Sequence, residues 1–144
     1  MEKWDFRYRF DKTTRYSQLV NKINVSSNTR RKVLVKLTTR YNLSRIFRLK
    51  TQFSRLNHHM SKILPDQPSL CKTCNTRETT EHFLLDCRQY PLLIQEFHKS
   101  LKEIIMSNQI YIEDILGESA LDLKQVIQVR QLLQNFLNQT RKKI

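Results

Sequence analysis

The chain has 144 residues, 26 Lys+Arg against 13 Asp+Glu, and a formal net charge of +13. That length suits one domain with a modest core, and one glycine and three prolines leave few tight turns, so a mainly helical fold is expected. No stretch approaches the ~20 apolar residues of a membrane span, and MEKWDFRYRF lacks the apolar core of a signal peptide, so an intracellular protein of nucleus and/or cytoplasm is expected.

The charge is uneven. Residues 1–50 carry net +11, residues 51–100 net +1 and residues 101–144 net +1. A field this lopsided attracts a polyanion. Nucleic acid is the first candidate; no basic helix with a clean apolar face stands out for a membrane surface. The expected organisation is an N-terminal arm (1–28), basic helices (29–64), a metal knuckle (65–90) and C-terminal helices (91–144).

In the arm, Trp4, Phe6, Tyr8 and Phe10 alternate with Asp5, Arg7 and Arg9. Period two with aromatic residues predicts a short strand or apolar anchor, with base stacking as the functional alternative. Residues 11–28 are polar and read as loop and caps, with a short helical turn around 17–22.

A helical pattern begins at Arg30. Val33, Leu34 and Leu37 are expected to face inward, then Tyr41, Ile46, Phe47 and Leu49, then Phe53, Leu56, Met60 and Ile63. Residues 28–55 hold nine basic residues and no acidic one. A merely solvated face would interleave carboxylates, so Arg30, Arg31, Lys32, Lys36, Arg40, Arg45, Arg48, Lys50 and Arg55 are read as outward nucleic-acid contacts. His58 and His59 read as surface groups or as supports behind the metal ligands, with a metal-dependent nuclease using His58, His59, Glu78 or Glu81 as a third, minor reading.

Leu64-Pro65-Asp66-Gln67-Pro68-Ser69 ends the preceding helix. CKTCNTRETTEHFLLDC follows and holds all three cysteines. Cys71, Cys74, His82 and Cys87 read Cys-x2-Cys-x7-His-x4-Cys. Three thiolates and one imidazole suit a single tetrahedral zinc, and four protein ligands leave no open position, which marks a structural ion. The alternatives are buried free thiols and a Cys71–Cys74 disulfide. Asn75 suits the left-handed residue after a Cys-x2-Cys turn, and Thr79 or Thr80 suits a helix cap with Glu81 in the first turn. Five residues of α-helix turn through about 500°, so His82 and Cys87 would face apart; the helix must end or tighten before Cys87. Lys72, Arg77 and Arg88 add positive charge around the knuckle.

Pro91 suits the start of the next helix, whose stripe of Leu93, Phe97, Leu101 and Ile104 runs to about Met106. His98 reads as solvent-facing. Gly117 is a stop signal after Tyr111, Ile112, Ile115 and Leu116. A last helix from about Leu121 to Leu137 carries Val126, Ile127, Leu132, Leu133, Phe136 and Leu137 as core. Arg141, Lys142 and Lys143 make a short basic tail.

The run RIFRLKTQFSRLNHHMSKILPDQPSLCKTCNTRETTEHFLLDC resembles the C-terminal region of non-LTR (LINE-type) retrotransposon reverse transcriptases. The matching pieces are Arg48–Lys50, Leu56–Asn57, Pro65–Pro68, Cys71 and Cys74, Glu78–His82, and Cys87, with IEDILGES resembling the family's tail. The resemblance covers residues 30–120, departing at Thr51–Ser54, where a Gly-His pair is common, and at Asn75, where glycine is common. It implies an accessory module that binds element RNA or target DNA during reverse transcription. No Tyr-x-Asp-Asp element, spaced carboxylate set or Gly-rich phosphate loop is present, so no polymerase, endonuclease or RNase H chemistry, and no small-molecule substrate, is expected. The expected function is zinc-dependent nucleic-acid binding, RNA favoured over DNA because zinc knuckles suit unpaired bases. The alternative is a structural adaptor that docks a reverse transcriptase or another protein.

Overall fold

A computed structural model describes residues 28–117 and 121–144. The strand expected over residues 4–10 and the turn near 17–22 lie outside the described residues. Within them the fold is mainly helical, as the scarcity of glycine and proline anticipates. In chain order the elements are α1 (Asn28–Leu37), α2 (Arg40–Thr51), α3 (Asn57–Ile63), a π-turn (His82–Asp86), α4 (Pro91–Ile105), α5 (Ile112–Leu116) and α6 (Leu123–Thr140).

Local chemistry sets the boundaries. Two threonines separate α1 from α2. Thr38 closes α1 by returning its hydroxyl to the Leu34 carbonyl at 2.6 Å, and extended Thr39 opens α2 by accepting from the Asn42 N–H at 3.2 Å. Pro91 occupies the first turn of α4, and left-handed Met106 ends it at φ 60°. Gly117 (φ 76°) stops α5. Asp122 and Gln125 form a reciprocal capping box at the start of α6, so the last helix begins two residues later than its apolar pattern suggests and continues to Thr140.

The core is built around α6, against which α1, α4 and α5 pack. Phe97 on α4 stacks on Phe136 of α6, with centroids 4.5 Å apart and planes 14° apart, and Phe83 of the π-turn leans on the same ring at 5.8 Å. This aromatic row joins the metal-knuckle segment to the C-terminal helices. Ile46, Leu49, Leu56, Leu84, Leu101, Ile115, Leu116, Leu133 and Leu137 complete a core that is almost wholly shielded from solvent. The apolar stripes expected of the C-terminal helices are thereby spent in packing.

The stretch from α1 through α3 buries less than its pattern predicts. Leu34, Ile46 and Leu49 face the core, but Leu37, Tyr41, Phe47, Phe53 and Ile63 are exposed, and α3 buries no residue at all. The reason is a polar seam along α6. Gln134, buried at the α1–α2 corner, accepts from the Thr39 N–H at 3.2 Å and the Asn42 amide at 3.3 Å, and donates to the Leu37 carbonyl at 3.3 Å. One turn earlier, buried Arg130 reaches Thr38 Oγ1 at 3.4 Å, and burial brings its pKa down to about 10. Hydrogen bonds fix the α1–α2 corner on α6, so fewer apolar positions turn inward.

On α2, Arg45 corrects the reading of that helix as a uniformly basic outer face. It is 3% exposed; its guanidinium donates to Asn42 Oδ1 (3.1 Å), the Leu137 carbonyl (2.8 Å) and the Lys142 carbonyl (3.1 Å). Those carbonyls lie at and beyond the C-terminal end of α6, where helix groups lack intrahelical partners and positive charge is favoured. Arg45 is a helix cap, shielded from any phosphate.

Candidate metal centre

The knuckle is assembled from a small loop and the π-turn. The Cys71 N–H donates to the Thr76 carbonyl at 2.7 Å, the Asn75 N–H to the Cys71 carbonyl at 2.9 Å, and an isolated antiparallel bridge pairs Leu70 with Arg77. Asn75 is left-handed at φ 55°, as the Cys-x2-Cys turn requires. Thr79 caps the following turn through the His82 N–H at 3.2 Å.

The helix does end before Cys87, as the spacing requires, and it ends through a widening rather than a tightening. Residues 82–86 form a π-turn, and Cys87 then becomes extended (φ −69°, ψ 127°). An i→i+5 turn holds residues five apart nearer one face than an α-helix does. That brings His82 and Cys87 together while Phe83 and Leu84, at most 1% exposed, enter the core.

Ligand atoms of Cys71, Cys74, His82 and Cys87 all lie within 4.8 Å of one another. The Cys71 and Cys87 sulfurs are 3.9 Å apart, close to the roughly 3.8 Å that zinc–sulfur bonds of about 2.3 Å subtend in a tetrahedron. The His82 Nδ1 meets Thr76 Oγ1 at 3.2 Å, while its buried Nε2 has no hydrogen-bond partner among the described residues. A hydrogen bond at one ring nitrogen and a bare, buried second nitrogen, on a ring grouped with three sulfurs, suit a ligating imidazole.

Backbone donors surround the sulfurs. The Arg88 N–H donates to Cys74 Sγ at 3.1 Å. Burial raises the Cys71 thiol, but the N–H groups of Cys74 and Thr73 and the neighbouring sulfurs bring it below the ordinary range. Burial pushes the Cys87 thiol up to about 12; the Gln89 N–H opposes this while the charge of Cys71 adds to it. Three crowded sulfurs resist full ionisation unless positive charge enters among them, and a divalent ion supplies it. All four residues fit one zinc, and all three cysteines are free thiols.

The knuckle is tied to the rest of the chain by Glu78. Its carboxylate is buried, accepts from the Asn57 N–H at 3.3 Å and forms an ion pair with Lys142 of the C-terminal tail. Asn57 also donates to the Leu70 carbonyl at 2.8 Å and accepts from Gln67 at 2.9 Å, fastening the proline loop. Thr80 donates to the Leu49 carbonyl of α2 at 3.0 Å. His98, expected in solvent, is half-buried and meets the Leu84 carbonyl of the π-turn at 2.9 Å.

The basic residues separate into two groups. Arg31, Lys32, Lys36, Arg40, Arg55, Lys72, Arg77 and Arg88 are exposed. Arg30 is half-buried and donates to the Leu121 carbonyl, Lys50 is half-buried and has an interaction partner, and Arg48 donates to the Ile144 carbonyl at 2.7 Å. The basic tail is likewise structural through Lys142. His58 and His59 are partly buried; burial, then Lys62, lowers both imidazoles, and Arg77 lowers His58 further. An open groove of about 610 Å³ borders the metal ligands, with Arg77 and Arg88 in its lining. No helix among the described residues is long and apolar enough to cross a membrane.

No family model matches this chain, nor does any curated protein or solved structure.

Proposed function

We propose that the chain is a zinc-dependent nucleic-acid-binding module that prefers RNA and serves as an accessory to reverse transcription. The observation that carries this reading is the exposed set Arg31, Lys32, Lys36 and Arg40. These four side chains stand in solvent on a stretch, residues 28–63, that contains no carboxylate. Solvation alone does not demand such one-sided charge, whereas a phosphate backbone does. Arg77 and Arg88 add cationic groups beside the knuckle, where they would meet a strand lying against it.

Zinc is structural in this reading. With four protein ligands it has no position for substrate; it fixes the turn whose next residues, Phe83 and Leu84, fill the core. The proposed kinship with the C-terminal region of non-LTR reverse transcriptases draws support from the motif residues. Leu56 is buried, Asn57 fastens the proline loop, and Glu78 joins the knuckle to the tail, so each has a physical reason to be where the motif has it.

An adaptor role is the second reading. Tyr41 at 68% and Phe53 at 56% exposure favour it, as apolar surface beside the basic residues. Replacing Arg31, Lys32, Lys36 and Arg40 by glutamine separates the two. The nucleic-acid reading requires affinity for single-stranded RNA to fall at least about tenfold with the fold intact; unchanged affinity contradicts it.

A further inference from the structure

We propose that the open groove beside the metal centre receives an unpaired guanine, with Asp86 taking the base edge and Arg77 and Arg88 the flanking phosphates. This rests on the nucleic-acid reading above. The groove, about 610 Å³, is bounded by the Cys-x2-Cys loop and the π-turn, so its floor is the part of the chain a metal would make rigid. Its lining mixes signs: Arg77 and Arg88 stand with Glu81 and Asp86, and Thr73 and Thr79 add hydroxyls.

That mixture decides the ligand class. A groove that merely tracks phosphates gains nothing from two carboxylates, which repel the backbone. Carboxylates in a nucleic-acid groove are useful where the ligand presents N–H donors. Guanine offers N1–H and N2–H side by side on its Watson–Crick edge, matching the two oxygens of one carboxylate. Adenine and cytosine offer one amino group each, next to a ring nitrogen acceptor. Uracil offers a single N–H between two carbonyls that a carboxylate repels. The expected order is therefore guanine first, adenine and cytosine next, uracil last. Among the described lining residues the one aromatic ring is that of His82, which is committed to the metal site, so the base would lie against a guanidinium plane. Asp86 is exposed at the last position of the π-turn, one residue before ligand Cys87, so the metal-fixed turn also fixes the reader.

The test uses the full chain, zinc-loaded, at low salt, with fluorescence anisotropy of a labelled oligouridine and of the same strand carrying one central G, A or C. A single G should tighten binding about tenfold, and A or C less. Asp86→Ala should erase the guanosine advantage while oligouridine binding tightens, since the carboxylate that repels uracil is gone, and Arg88→Gln should weaken all four strands alike. Should Asp86→Ala lose zinc, Asp86→Asn decides, since it keeps the size and one acceptor; the advantage must still fall at least about threefold. Equal affinity for all four strands, or a guanosine advantage that survives both Asp86 variants, overturns the groove proposal and leaves the nucleic-acid reading standing. Failure to bind any strand overturns both.

Discussion

The Arg45 guanidinium donates to the carbonyl of Leu137 across 2.8 Å, from within the α2–α6 interface. A residue that composition nominates for phosphate contact is thus the cap of the last helix. The consequence is a split between two arginines on one helix. Arg45→Met should destabilise the protein by about 3 kcal/mol, because it strands buried carbonyls at a helix end. Arg40→Gln should stay within about 0.5 kcal/mol while weakening nucleic-acid binding. Urea denaturation of both variants measures the difference.

Phe83 couples the core to the metal. Its neighbour His82 faces the sulfurs while its own ring meets Phe136 at 5.8 Å. Phe83→Ala should cost about 3–5 kcal/mol and weaken zinc binding as well, since the same turn presents both side chains. Conversely, a chelator should loosen the packing around Phe136 and reduce near-ultraviolet circular dichroism, with α4 and α6 retaining helical signal.

Zinc uptake should release protons. Burial, reinforced by the neighbouring charge of Cys71, pushes the Cys87 thiol up to about 12, so at neutral pH it carries a proton that zinc must displace. Zinc affinity should therefore rise with pH across the neutral range and fall in acid, as protons compete for sulfur. Calorimetry in buffers of different ionisation enthalpy should show proton release on zinc binding, at least the one held by Cys87.

The pair Glu78–Lys142 holds the tail on the knuckle. The carboxylate side chain is 3% exposed and the ammonium side chain 20%. Lys142→Met should cost about 2–3 kcal/mol, below the figure for a fully buried pair because the lysine still touches water. Glu78→Gln should cost less, since glutamine can still accept from the Asn57 N–H. A double-mutant cycle on the two residues reads the coupling directly.

Much of this arrangement is legible in the amino-acid sequence. The ligand spacing identified Cys71, Cys74, His82 and Cys87, because few side-chain types satisfy a soft metal and all the cysteines cluster there. Gly117, Pro91, Asn75 and Thr79 announced turns and caps through backbone rules that act locally. What stayed hidden was long-range and polar. Gln134, Arg130 and Arg45 satisfy one another's neighbours across more than ninety residues of sequence. Periodicity counts apolar residues, so it could neither see that seam nor foresee the exposure of Tyr41 and Leu37 beside it. The π-turn was half-visible: the spacing demanded a departure from α-geometry, but its sense depended on Phe83 and Leu84 entering the core.

The most direct test of the central claim is a salt titration of single-stranded RNA binding by the zinc-loaded chain, with duplex RNA and duplex DNA in parallel. The account predicts tightest binding to the single strand. Its affinity should fall by about two orders of magnitude or more between low and moderate salt as four or more phosphates shed counterions. No binding at low salt by protein carrying its full zinc would contradict it.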